Sequence, residues 1–377
     1  MYLKKLFQFT GLTVEIDNNR IFGLDIMRAF AISIVIVTHS IYFLPPTIVS
    51  IINLVSLDGV SLFFVLSGFL IGGILIKTVE KEGTSIKVLI YFWIKRWLRT
   101  IPNYFLVFSV VYLLYLHAAN NGTMPTLRKF YFFFQNFNTP PPGYFIEGWS
   151  LSVEEWFYLS VPLLIFLLMN FIKLNLKKSI STICLLIIIF SIFFRYYRYI
   201  STPEISRDFE MHFRMQVITR LDSLMYGVIG AYLSRFCKSK WVLYKIPLLI
   251  FGSMGLIVNK YCQLNLGGSM YYFVFYLATN GLFTLCLLPF FSEYKRGSGF
   301  FYNLITYISL ISYSLYLTNL TLVQSFIIPF LDSIFFKNSS DLKSINFFLF
   351  FLVTFIVSTY LYNFVEKPIM GIRKYLK

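Results

Sequence analysis

Apolar residues in this chain gather into long, nearly unbroken blocks, separated by short polar gaps. A helix that crosses the hydrocarbon core of a bilayer needs roughly 20 mostly apolar residues, with tolerance to about 17. Ten blocks qualify, at about 24–45, 57–76, 99–117, 151–172, 179–196, 216–236, 242–261, 271–292, 302–331 and 345–364. The ninth is long and holds Pro329, which predicts a tilt or a break near its end. No internal repeat is evident, and no segment is polar and long enough for a separate soluble domain. The pattern predicts an all-α, polytopic membrane protein of about ten transmembrane helices. It divides into an N-terminal segment (1–22), a transmembrane domain (23–365) and a C-terminal tail (366–377).

Composition reinforces the pattern. The 377 residues are 57% hydrophobic and 20% aromatic, and 13% are charged, about half the usual quarter of a globular chain. The formal net charge of +16 would fit a nucleic-acid binder, but the basic residues sit in the gaps between apolar runs, where charge reads as topology. Of the 33 Lys and Arg, 22 fall in alternate gaps on one side and ten on the other, with Arg28 inside the first block. The positive-inside rule then places both termini in the cytoplasm. The gap at about 197–215 opposes the bias, and its arginines are candidates to serve a substrate.

The start of the chain does not read as a cleaved signal peptide, since its apolar stretch is broken at Gln8 and followed by the polar Glu15–Arg20. Cys184, Cys237, Cys262 and Cys286 lack metal-ligand spacing, so free thiols and no metal site are expected. Asn121-Gly122-Thr123 and Asn338-Ser339-Ser340 are sequons in expected external gaps, a pattern that also arises by chance.

Ionisable groups inside a span are expensive, so each is a candidate. The first block carries Asp25, Arg28 and His39. Arg28 and His39 are 11 residues apart, within about 20° of one helical face and about 16 Å apart along the axis. Either they belong to a site, or Arg28 pairs with Asp25 at i, i+3 and His39 bonds a neighbouring carbonyl. Arg96 and Arg99 are i, i+3 neighbours before the third block, a fork of donors suited to phosphate or to anionic lipid headgroups. Glu154 and Glu155 open the fourth block, and Glu154 shares a face with Tyr158. A helix start favours one such glutamate more easily than two. Arg220 and Asp222 open the sixth block and would neutralise each other.

Taken together these stretches resemble the acyltransferase-3 family of integral membrane O-acyltransferases. The resemblance rests on Arg20-Ile21-Phe22-Gly23-Leu24-Asp25-Ile26-Met27-Arg28-Ala29 with His39, and on Gly59-Val60-Ser61-Leu62-Phe63-Phe64-Val65-Leu66-Ser67-Gly68-Phe69-Leu70-Ile71. It continues through Arg96 and Arg99, the Trp149–Tyr158 stretch, Thr219-Arg220-Leu221-Asp222 with Gly227, and Phe364-Val365-Glu366-Lys367-Pro368. Two departures stand out. Ser61 occupies a position often acidic in relatives, with Asp58 just before it, and Asn319 stands where many relatives have histidine.

The resemblance implies transfer of an acyl group, usually acetyl, from cytoplasmic acyl-CoA to a sugar hydroxyl of a bacterial surface polysaccharide or its lipid-linked precursor. The setting implied is a bacterial inner membrane. His39 would be the general base or a transient acyl carrier, an ordinary imidazole pKa near 6.5 suiting either. Glu154 would orient it, with Glu155 a second candidate, and Arg28, Arg96 and Arg99 would hold the donor. Membrane lipid and a glycan are the partners implied. A transporter is the rival from another class, since it would carry the same buried charges. A polyprenol-dependent glycosyltransferase would want an acidic pair in a large external loop, and the loop at 118–148 has only Glu147.

Overall fold

The computed structural model describes residues 20–118, 127–335 and 343–375. Most of the expected N-terminal segment and both sequons, at Asn121 and Asn338, lie outside the described residues. All ten apolar blocks are helical: α1 (Phe22–Ser40), α2 (Gly59–Glu82), α3 (Ile86–Ala118), α4 (Gly148–Asn170), α5 (Leu176–Ser201), α6 (Leu221–Phe236), α7 (Lys245–Asn265), α8 (Tyr276–Glu293), α9 (Gly299–Thr318) and α10 (Lys343–Leu361). There is no strand among the described residues. The chain is an all-α, multi-pass membrane protein, and among the described residues eight spans are long and apolar enough to cross a bilayer.

The two blocks outside those eight differ for local reasons. α6 begins only at Leu221, because the backbone before it bonds partners outside the helix: Thr219 O accepts from Arg195 Nη1 at 2.6 Å, and Val217 N–H donates to the backbone carbonyl of Asn136 at 3.0 Å. α7 carries Asn259, Lys260 and Gln263 in its last turns, which lowers its hydropathy.

Capping chemistry sets several boundaries. Asp58 accepts from the backbone N–H of Val60 and Ser61 at the start of α2, satisfying donors that a helix N-terminus leaves open. Gly83 ends α2 at φ 74°, a conformation glycine adopts without a Cβ penalty. Asn175 caps α5 in the same way as Asp58 caps α2.

The basic turns gather at one end of the bundle. Thr84, between α2 and α3, donates to Asn170 at the end of α4 (2.7 Å), and Arg235 near the end of α6 pairs with Glu80 at 2.8 Å. At the opposite end, Asn136 ties the 127–147 segment to the backbone of Trp149 and Met215.

α2 and α6 meet at two glycines. A Cβ on Gly227 would stand 2.0 Å from Val65 O, and one on Gly68 would stand 2.0 Å from Leu224 O. Small residues let membrane helices approach backbone to backbone, where dispersion rather than water drives association. Gly227→Val is therefore expected to cost at least about 1–3 kcal/mol through overpacking. A lowered thermal unfolding midpoint in detergent, relative to a lipid-facing Leu→Val control, checks this.

Candidate functional site

Two cavities lie back to back in the bundle. The one toward the basic end holds about 830 Å³ and is lined by Arg28 of α1, Arg96 and Arg99 of α3, Glu154 and Tyr158 of α4, and apolar side chains of α2. Its three guanidinium groups face one carboxyl, and a cavity with low-dielectric walls and that balance favours an anion. None of the three arginines makes a hydrogen bond or ion pair with a described residue, and Arg96 Nε is buried without a partner. Arg28 is unpaired because Asp25 is occupied: Arg20 bonds both carboxylate oxygens, and Ser309 Oγ donates to Oδ1 at 2.6 Å. The i, i+3 pair between Asp25 and Arg28 does not form.

Glu154 Oε2 accepts from Tyr158 at 2.9 Å, and Tyr158 in turn meets Ser67 Oγ at 3.0 Å. Glu155, 100° further round the helix, leaves this cavity. It accepts from Thr100 Oγ1 at 2.6 Å and lines a separate recess with Trp97, Trp156 and Phe132–Phe134.

The second cavity, about 660 Å³, lies toward the opposite end and is lined by His39, Asp58, Glu147, Trp149 and Arg214. His39 Nδ1 bonds Asn319 Oδ1. The Asn319 amide donates to Leu315 O (2.7 Å) and Tyr316 O (2.9 Å), which fixes its oxygen toward His39. An amide oxygen only accepts, so Nδ1 carries the proton and Nε2 keeps its lone pair. Asn319 opens a π-helical stretch (Asn319–Ile327), a feature common at functional sites. The expected break near Pro329 therefore begins ten residues earlier. Glu147 anchors the same stretch, accepting from Thr321 N–H at 3.2 Å and from the Thr321 hydroxyl. Burial pushes the Glu147 carboxyl up to about 7, although the Thr321 bonds act against the rise.

Behind His39 runs a chain of buried charges. Arg195, at the end of the fifth block, is fully buried in α5, where it donates to Asp222 (2.7 Å), Thr219 O and Val274 O. Arg220 does not pair with Asp222. It donates to Ser61 Oγ (2.8 Å), lies 3.5 Å from Asp58 and packs its guanidinium over Phe64. Asp58 also takes the Ser61 hydroxyl at 2.6 Å and Arg214 at 3.0 Å. Ser61 and Asp58 thus serve Arg220 together, the acid reaching it from one turn earlier. Burial alone would lower the Arg214 pKa, but Asp58 and Glu210 raise it, so Arg214 stays charged at the cavity.

The structure thus brings Arg28, Arg96, Arg99, Glu154 and Tyr158 into one chamber and His39 into its neighbour. Asp25, Arg220 and Asp222 sit in ion pairs beside them, and Glu155 stands apart. The residue against His39 is Asn319, whereas Glu154 bonds Tyr158. Asp58, Glu147, Arg214 and Asn319 complete the outer chamber. Each is a polar residue inside or beside an apolar run, which is the signal the sequence offers for them. Glu366, the first residue of the expected C-terminal tail, is buried in the bundle against Asn103 and Ser314. Among the described residues no group of three His, Cys, Asp or Glu is placed to hold a metal ion.

A helical membrane bundle with paired polar chambers defines the class as a polytopic membrane protein with an interior site. The family model described as an acyltransferase domain, Acyl_transf_3, matches residues 21–363, and the chain belongs to that family. It is 32% identical over 132 residues to "Peptidoglycan O-acetyltransferase OatA" of Listeria monocytogenes, covering 30% of this chain and 20% of that protein. It is 28% identical over 238 residues to "Putative O-acetyltransferase SACOL0978" of Staphylococcus aureus (56% and 34%). It is 30% identical over 185 residues to "Putative peptidoglycan O-acetyltransferase YrhL" of Bacillus subtilis (44% and 27%). The matches span between 20% and 34% of these relatives' own length. No solved structure matches.

Proposed function

We propose that the protein moves an acetyl group from acetyl-CoA, held at the basic end, to a sugar hydroxyl of a surface polysaccharide or its lipid-linked precursor at the opposite end of a bacterial inner membrane. The observation that carries this reading is the pair of adjoining chambers, one with three arginines that pair with no described residue and the other with a histidine whose Nε2 is free to accept a proton. Guanidinium groups match phosphate oxygens in geometry and charge. The roughly 16 Å along α1 between Arg28 and His39 is a span a pantetheine arm can cover. With both termini cytoplasmic, as the positive-inside rule expects, the arginine chamber faces the donor pool.

In the transfer, His39 Nε2 takes the proton of the acceptor hydroxyl as its oxygen attacks the thioester carbonyl. The new C–O bond forms and the C–S bond breaks. The proton on Nε2 then passes to the leaving thiolate, giving free CoA and an O-acetyl ester. Arg214, held by Asp58 and Glu210, carries positive charge beside His39, where oxyanion charge develops. Glu154 holds Tyr158 and Ser67 in the donor chamber, and membrane lipid covers the outer faces of the bundle.

Membranes bearing the protein, given radiolabelled acetyl-CoA and a cell-wall glycan mixture, are expected to pass label to the glycan fraction. Label that stays in CoA with folded protein and verified acceptors would count against the reading. Arg96→Ala is expected to raise the apparent KM for acetyl-CoA by about tenfold or more, the loss of one charged hydrogen bond being about 1.5–3 kcal/mol. Its kcat should change less. An unchanged KM would remove Arg96 from the donor site.

A further inference from the structure

The two chambers share two lining side chains among the described residues, Val60 in the first turn of α2 and Tyr316 in the last turn of α9. Both are buried, at 6% and 8% exposure, so the wall between arginines and histidine is one side chain thick there. Neither is free to drift. Gly59, beside Val60, lies against the α1 backbone, where a Cβ would stand 2.6 Å from Ala31 O. Tyr316 is tethered at its tip, its hydroxyl donating to Glu147 O at 3.1 Å. Its backbone carbonyl takes the Asn319 amide that orients His39. The ring is thus the large side chain in the wall, and hydrogen bonds of its hydroxyl to Glu147 O and with Ser150 hold its tip in place.

Building on the transferase reading, we infer that Tyr316 and Val60 form a gate between donor and acceptor chambers and that this gate sets the length of acyl group the protein accepts. A donor anchored by its phosphates on Arg28, Arg96 and Arg99 stays in the first chamber. The part that must reach His39 Nε2 is the thioester carbonyl with its acyl chain, and it arrives between these two side chains. An acetyl group adds one methyl beyond the carbonyl, whereas each further methylene must fit past the tyrosine ring and the valine. Apolar walls of this kind separate substrates differing by one methylene about 10–200-fold. The gate also separates two water-accessible ends, so a closed ring keeps the thioester from hydrolysis until the arm is in place.

The test compares acetyl-CoA with butyryl-CoA as donor in membranes bearing the wild type, Val60→Ala, Tyr316→Leu and Tyr316→Phe. The wild type is expected to prefer acetyl. Val60→Ala and Tyr316→Leu are each expected to shift the butyryl-to-acetyl rate ratio upward by tenfold or more. Tyr316→Phe, which keeps the ring and loses the tether, should hold the wild-type ratio and raise acceptor-free hydrolysis of acetyl-CoA. A ratio unchanged in both space-making variants, or transfer lost alike with both donors in variants that unfold at the wild-type temperature, overturns the gate. Failure of the transferase reading shows differently, as a wild type that transfers from neither donor.

Discussion

His39→Ala is expected to lower acetyl transfer by about 10²–10⁴-fold, the range that a positioned general base contributes, while leaving acetyl-CoA binding intact. The expectation follows from the tautomer. Asn319 spends both amide hydrogens on Leu315 O and Tyr316 O, so its oxygen accepts from Nδ1 and leaves Nε2 as the base. Asn319→Ala keeps the imidazole but frees both ring nitrogens to exchange roles, and a smaller fall is expected, with KM for acetyl-CoA unchanged. His39→Gln preserves size and some hydrogen bonding without a base and should resemble His39→Ala. Normal turnover in purified His39→Ala would remove His39 from catalysis. Trapping of labelled acetyl on wild-type His39 would instead make it the acyl carrier.

Asp222→Ala should be the most damaging substitution away from the chambers. Its partner Arg195 is fully buried and 2.7 Å away, and removing one member of a buried pair strands the other charge at a cost of about 3–5 kcal/mol. Two backbone carbonyls still hold Arg195, which places the loss toward the lower end of that range. Replacing both partners with apolar residues, as in Arg195→Met with Asp222→Leu, removes the stranded charge and is expected to recover part of the stability. Unfolding midpoints of the two singles and the double in detergent form the cycle. Strict additivity would mean that the pair is not coupled.

The helices were legible because the bilayer demands long apolar runs, and the ten blocks needed no tertiary information. The start of α6 was not legible, since nothing in Gln216–Arg220 reveals that the Thr219 carbonyl serves Arg195. The chamber around Arg28, Arg96, Arg99 and Glu154 could be read as separate candidates, because each is a charge in an apolar setting. Their neighbours could not. Pairing is a matter of which helices touch, so Arg220 looked bound to Asp222 two residues away and instead found Asp58 and Ser61 on α2. Asn319 was visible only as a departure at one motif position. Its meaning depends on α9 packing against α1, which brings its oxygen to His39 across 280 residues of sequence.

The π turns from Asn319 to Ile327 have one further consequence. A π stretch behaves as an α-helix that has absorbed an extra residue, so it advances the phase of everything after it. The faces shown by Ile328–Phe335 follow from that inserted residue as well as from the faces set by α9. A one-residue deletion here would be absorbed by relaxation to α geometry, whereas the same deletion inside α2 or α6 would misalign two glycines that touch backbone. Length variation among homologues should therefore concentrate between Tyr316 and Ile327, with the loss or gain of the bulge redirecting Asn319 away from His39 or toward it.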